Sequence, residues 1–160
     1  MAEKEQKSNV RPIFAEDIMT ENAQVVNKNT TIVEVAHLML RIGVSAYPIV
    51  DDTGDVIGIV TLTDLFKLLN NIVEEEMSED HLTPEERREI FHKNVSKFRD
   101  KPISDIMSDN VVFVKPDTEL NEIVEAVAKL SVHTFPVMQG KHLVGIIGRH
   151  DMLNATFSFG

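Results

Sequence analysis

Slid against itself by 88 positions, the 160-residue chain sets DIMTEN at 17–22 on DIMSDN at 105–110. Val26 then meets Val114, Thr30 meets Thr118, Glu34 meets Glu122, Val44 meets Val132 and Pro48 meets Pro136, giving 9 identities in 32 ungapped positions. One residue drops out of the second copy between DDTGD and QGK, after which Gly58 meets Gly145 and Asp64 meets Asp151. A duplication of this kind constrains the fold more than any composition does, because whatever one copy builds the other must build too. A half of roughly 50 residues with one small sheet cannot bury its apolar faces alone, so the copies are expected to pack together about a pseudo-twofold axis, with duplicated sites at their junction.

Each copy carries the same alternation of periods. QVVN at 24–27 and VVFV at 111–114 read as short strands, and Ile32, Val35, Ala36, Met39 and Ile42 then recur at helical spacing, as do Leu120, Ile123, Val127 and Leu130. AYPIV with VIGIVT, and TFPVM with HLVGII, read as hairpins around the turns DDTGD and QGK. DLFKLLNNIV and DMLNAT close the copies as helices. The predicted fold class is α/β (α+β), with two β-α-β-β-α repeats over 14–69 and 102–160, a flexible arm over 1–13 and a helical insertion over 70–101. Within that insertion LTPEER has Thr83 as a cap, Pro84 at the first helical position and Glu86 three residues after the cap, which starts a helix. Ile90, Phe91, Val95 and Phe98 form its apolar stripe, flanked by Arg87, Arg88, Lys93 and Lys97. Such a helix covers its own module or meets a partner. Pro48 and Pro136, lacking an N–H, are expected at strand starts or sheet edges, and Gly58 and Gly145 at close backbone approaches.

Composition closes several routes. The absence of cysteine excludes disulfides, thiolate metal sites and cysteine nucleophiles. With 16 basic against 26 acidic residues the formal charge is -10, which opposes general nucleic-acid binding and association with anionic lipid. The six histidines show neither HExxH nor two-histidine helical spacing, so no metal site is expected. No Ser-His-Asp set, P-loop or paired catalytic carboxylate signature is present, and the chain is expected not to be an enzyme, with no catalytic residues and no obligatory cofactor. The apolar runs are far shorter than the roughly 20 residues that span a bilayer, and MAEKEQKSNV is too polar for a secretory signal, so a cytoplasmic location is expected.

DIMT or DIMS, a proline inside the first hairpin strand, and GIVTLTD or GIIGRHD opening the last helix, written twice in register, resemble the CBS (cystathionine β-synthase) domain in its tandem pair, the Bateman module. The resemblance covers about residues 14–69 and 102–157. It implies a non-catalytic regulatory or sensor module that binds an adenine nucleotide of the AMP, ADP or ATP class between two CBS domains and signals to a protein partner in trans, as a homodimer. It also implies composite sites. Site A would combine Thr61, Thr63 and Asp64 from one copy with Ser108, Val132, His133 and Thr134 from the other, and site B would combine Arg149 and Asp151 with Thr20, Val44, Ser45 and Ala46. The alternatives are a cyclic di-AMP or S-adenosylmethionine sensor on the same fold, or a scaffold acting through the inserted helix with degenerate sites.

The residue chemistry fits that expectation. GIVTLTD passes from strand to helix, placing Asp64 in a first turn whose unsatisfied N–H groups favour an anion. A carboxylate only accepts and can take both hydroxyls of a ribose, threonine hydroxyls can donate to a phosphate, and His133 and Arg149 are the cationic candidates. The second copy replaces Thr61 and Thr63 with Gly148 and His150. Two lost neutral hydrogen bonds correspond to roughly 1 to 3 kcal/mol, so site A is expected to be the tighter unless Arg149 compensates with a charge-assisted bond to phosphate.

Overall fold

The computed structural model describes residues 11–77 and 81–158. In chain order these form α1 (Ala15–Ile18), β1 (Thr20–Glu21), β2 (Val26–Asn27), α2 (Ile32–Ile42), β3 (Ala46–Val50), β4 (Val56–Thr61) and α3 (Leu62–Met77). There follow α4 (Pro84–Arg99), a 3-10 turn (Ile103–Asp105), α5 (Leu120–Leu130), β5 (Phe135–Gln139), β6 (His142–Ile147) and α6 (Arg149–Ser158). No helix among the described residues is long and apolar enough to cross a membrane. The chain divides into two compact units, one of Gln24–Val111 and one joining Met1–Ala23 to Val112–Gly160. They are called here the central unit and the terminal unit.

The central unit is built around the sheet β2-β3-β4. α2 begins because the Thr31 hydroxyl accepts the Glu34 N–H at 3.3 Å while the Glu34 carboxylate accepts the Thr31 N–H at 3.0 Å, a reciprocal cap that satisfies two orphan donors. It ends at Gly43, whose φ of 77° only glycine adopts without steric cost. Ile32, Val35 and Met39 pack onto the sheet, joined by Tyr47, Ile49, Val60 and Ile103. Ile42, expected on the same buried stripe, is exposed. In the turn of the β3–β4 hairpin one carboxylate oxygen of Asp51 accepts the Thr53 N–H, the Thr53 hydroxyl and the Asp55 N–H. These bonds hold the Asp51 carboxyl below its ordinary range, the Thr53 hydroxyl being the largest cause.

α4 forms as its start signal predicts, with the Thr83–Glu86 reciprocal cap and Pro84 in the first turn. It packs on α3 and touches α2. Ile90, Phe91, Val95 and Phe98 are each half-buried, while the buried residue of this helix is Asn94, whose Oδ1 accepts from Lys97 Nζ at 2.9 Å. The stripe therefore lies partly against its own unit.

The terminal unit repeats the plan with the sheet β1-β6-β5. Ile123, Phe135, Val137, Ile147, Val114, Met152 and Ala15 form its core. α5 ends at Ser131 with φ 54°, where α2 has Gly43. Leu130, like Ile42, is exposed. VVFV at 111–114 is not a strand, since only Val114 pairs, through a single bridge to Val137. The third strand of this sheet is instead Thr20–Glu21, antiparallel to β6.

Pro48 departs from expectation: it is the third residue of the central strand β3. The Leu62 N–H donates to the Ser45 carbonyl at 2.9 Å, so alternation along the antiparallel ladder puts Pro48 opposite Ile59 at a non-hydrogen-bonded position, where a missing N–H costs β4 nothing. Pro136 is the second residue of β5, the last strand of its sheet order.

The segments around the two DIM motifs are exchanged between the repeats. In the central unit Ile32 N–H donates to the Lys101 carbonyl, Ile103 N–H to Thr30 and Ser104 N–H to Lys28. Ser108 and Ile59 then exchange backbone bonds at 2.8 and 2.9 Å beside β4. In the terminal unit Leu120 N–H donates to Ile13, Ala15 N–H to Thr118 and Glu16 N–H to Pro116. The head of the first repeat thus completes the sheet of the second, and the head of the second completes that of the first. Residues 1–10 of the expected flexible arm lie outside the described residues, and by Ile13 the chain is already bonded.

Candidate functional site

Two strand-to-helix junctions carry the candidate chemistry, one per unit. At the β4–α3 junction Thr61 is the cap, and Asp64 Oδ2 accepts both the Thr61 N–H and the Thr61 hydroxyl at 2.8 Å. The Asp64 N–H approaches Thr61 Oγ1 at 3.4 Å. A hydroxyl has one proton, and here Thr61 gives it to Asp64, leaving none for a phosphate. Among the described residues Asp64 Oδ1 accepts no hydrogen bond, so it is the open acceptor. Thr63 is exposed in the first turn of α3, and among the described residues its hydroxyl has no internal partner.

At the β6–α6 junction Gly148 holds the capping place without a hydroxyl, and its N–H donates to Asp151 Oδ2 at 2.7 Å. A second contact arrives from far along the chain, where the Thr20 hydroxyl lies 3.5 Å from Asp151 Oδ1. Arg149, the first residue of α6, is exposed.

Each junction is set by a methionine lying over a glycine. A Cβ on Gly58 would sit 2.7 Å from Met107 Sδ and 2.9 Å from the Ser108 carbonyl oxygen, and one on Gly145 would sit 2.6 Å from Met19 Sδ and 3.0 Å from the Thr20 carbonyl oxygen. The glycines are therefore required by the close passage of the DIM segments, as the sequence leads one to expect, and both methionines pack on their unit's core.

Of the residues predicted for site A, Thr61, Thr63, Asp64 and Ser108 belong to the central unit, and Val132, His133 and Thr134, all half-buried, to the terminal unit. Of those predicted for site B, Thr20, Arg149 and Asp151 belong to the terminal unit, and Val44, Ser45 and Ala46 to the central unit. The structure brings Thr61 to Asp64 and Thr20 to Asp151. Within the central unit it also sets Ala46 opposite Thr61, and Ser45 against Leu62 through the backbone bond described above. Sequence reasoning missed the internal use of the Thr61 proton, though the spacing of Thr61 and Asp64, cap to third helical residue, carries that signal. It also missed a pocket of about 540 Å³ in the terminal unit, lined by Glu16, Phe113, Lys115, Asp117, Gln139 and others, which includes none of the predicted site residues.

The family model of the CBS domain matches residues 15–71 and 103–158. The chain belongs to the CBS-domain family and carries two copies of the domain in tandem. It is 25% identical over 141 residues to the uncharacterized protein MJ1426 of Methanocaldococcus jannaschii, covering 82% of this chain and 84% of that one. It is 26% identical over 149 residues to the chloroplastic CBS domain-containing protein CBSX2 of Arabidopsis thaliana, covering 88% of this chain and 62% of that one. The crystal structure of CBSX2 in complex with AMP shares the fold with a TM-score of 0.68 at 22% identity, covering 91% of this chain and 97% of that one. The CBS domain pair of protein MJ0100 in complex with 5-methylthioadenosine and S-adenosyl-L-methionine does so with a TM-score of 0.70 at 20% identity, covering 94% of this chain and all of that one.

Proposed function

We propose that this chain is a non-catalytic regulatory module that binds an adenine nucleotide, with Asp64 and Asp151 as the ribose acceptors, and passes its occupancy to a protein partner. The observation that carries this reading is the duplicated helix-start aspartate, which in the central unit keeps one carboxylate oxygen without a hydrogen bond among the described residues, in the same helical turn as the exposed Thr63. It is supported by two solved CBS-domain proteins of the same fold that hold AMP in one case and S-adenosylmethionine with 5-methylthioadenosine in the other. Signalling requires a ligand that binds two conformational states with different affinity.

We read the chain as a homodimer. Phe66, Leu69 and Val73 on α3 of the central unit expose apolar side chains at helical spacing, and so do Leu153 and Phe157 on α6 of the terminal unit, each helix offering a face suited to burial against a second copy. Action through α4 alone is the weaker reading, because its apolar stripe is partly used within its own unit.

Titration calorimetry and a thermal-shift panel of AMP, ADP, ATP, S-adenosylmethionine, NAD and cyclic di-AMP test the proposal, on protein shown by mass spectrometry to be free of carried-over nucleotide. At least one adenine ligand should raise the melting temperature, by mass action on the native state. A flat response across the whole panel sinks it.

A further inference from the structure

The two aspartates are equivalent in sequence and are held by different means. Thr61 fixes Asp64 from the residue that begins its own helix, using one N–H and one hydroxyl. Asp151 has only the Gly148 N–H at that place, and the hydroxyl near its other oxygen belongs to Thr20, 131 residues away in sequence. Thr20 is placed there because β1 pairs with β6, with Thr20 opposite Ile146 and Glu21 opposite Gly145. Met19 lies over Gly145 beside the same pair.

We propose that Thr20 is a positioning residue for Asp151, supplying from the exchanged head segment the hydroxyl that the second repeat lacks at Gly148. The inference rests on the reading that Asp151 accepts from the ligand. With one donor on each oxygen, Asp151 is turned so that both oxygens keep a free lone pair, an arrangement suited to two neighbouring hydroxyls. Asp64 instead concentrates its internal bonds on Oδ2. The two sites should therefore differ in how they hold a vicinal diol, and the difference traces to where each unit obtains its hydroxyl.

The geometry also supplies the test. A Cβ on Gly148 would meet only Asp151 Oδ2, at an ordinary 3.6 Å, so a side chain can start there, and a threonine would put a hydroxyl at the place Thr61 holds in the other repeat. Two measurements are made on Thr20→Val, Thr20→Ser and Thr20→Val/Gly148→Thr: the Asp151 χ1 distribution from NMR scalar couplings in ligand-free protein, and AMP affinity by calorimetry. Thr20→Val should broaden the χ1 distribution and weaken AMP at one site roughly two- to tenfold, the scale of one hydrogen bond. Thr20→Ser should retain both properties, and the double variant should recover them. An unchanged χ1 distribution in Thr20→Val overturns the inference, as does a changed distribution with unchanged AMP affinity, or failure of Gly148→Thr to restore order. Absence of AMP binding to the parent protein would count against the nucleotide reading, while the ligand-free couplings would still decide the role of Thr20.

Discussion

Asp64 shows how a residue can be both a cap and a candidate ligand group. Its Oδ2 is saturated by Thr61, so the bonds that fix the side chain also remove the Thr61 proton from any ligand. The expected advantage of the first site shrinks accordingly from two hydroxyls to the one on Thr63, about 0.5 to 1.5 kcal/mol. Tyr47 presents a sharper imbalance. It lies in β3 with its ring in the core, and its buried hydroxyl has no hydrogen-bond partner among the described residues. Burial pushes its pKa above the ordinary tyrosine value, partly offset by Arg41. The equivalent place in the terminal unit is taken by the fully buried Phe135. An orphaned buried hydroxyl costs about 1 to 3 kcal/mol, so Tyr47→Phe should stabilise the protein by about 1 kcal/mol, measured as a rise in the urea midpoint at unchanged slope. A loss of stability would mean that the hydroxyl is bonded in solution.

At the scale of elements, α2 and α5 are the same helix ended in two ways. Gly43 reaches the left-handed region at φ 77° without a Cβ penalty, whereas Ser131 reaches it at φ 54° with one. Both N–H groups bond back to the helix, Gly43 to Met39 and Ser131 to Val127, so the caps differ in strain and not in bonding. Ser131→Gly should therefore stabilise the protein by about 0.5 to 1 kcal/mol after the added entropy of the unfolded glycine is subtracted, and thermal unfolding would show it. An unchanged or lower melting temperature would place the strain elsewhere. Elements with local causes are legible in the sequence: the hairpins from their turns, α4 from Thr83, Pro84 and Glu86, and the glycine approaches from their repetition. VVFV looks like a strand because β-branched residues dominate it, yet strand formation depends on backbone pairing, and only Val114 reaches β5, through its bridge to Val137, while Thr20–Glu21 pairs with β6 on the other side of the sheet. Pro48 misleads for a related reason, because its harmless position depends on ladder register, which no local pattern records. The Thr20–Asp151 contact is harder still to read, since it follows from a pairing between the two ends of the chain.

For the whole molecule, the exchange of head segments means that a sequence repeat and a folding unit are different stretches of chain. The contiguous first repeat contains β2, α2, β3, β4 and α3 but not the segment that closes their sheet. That segment supplies Ile103, fully buried in the core, with Ile106 and Met107 packed beside it. It also contributes backbone bonds from or to Lys101, Ile103, Ser104 and Ser108, the last exchanging two with Ile59. Full burial of one isoleucine alone is worth about 1.5 to 3 kcal/mol, and each bond adds about 0.5 to 1.5 kcal/mol, sums comparable to the whole stability of a small domain. Two fragments of nearly equal length therefore ought to behave differently. Residues 24–111 contain every member of their core cluster and should give dispersed amide resonances and a cooperative urea transition. Residues 14–100 carry the entire first repeat, yet they lack Ile103 and the Ser108 pairing and bring in α1 and β1 without β6. They should show no cooperative transition. Equal folding of the two fragments would mean that the exchanged heads are ornaments on independently stable repeats. Folding of 24–111 alone would make the exchange the structural bond between the repeats, with Thr20 at its point of contact with Asp151.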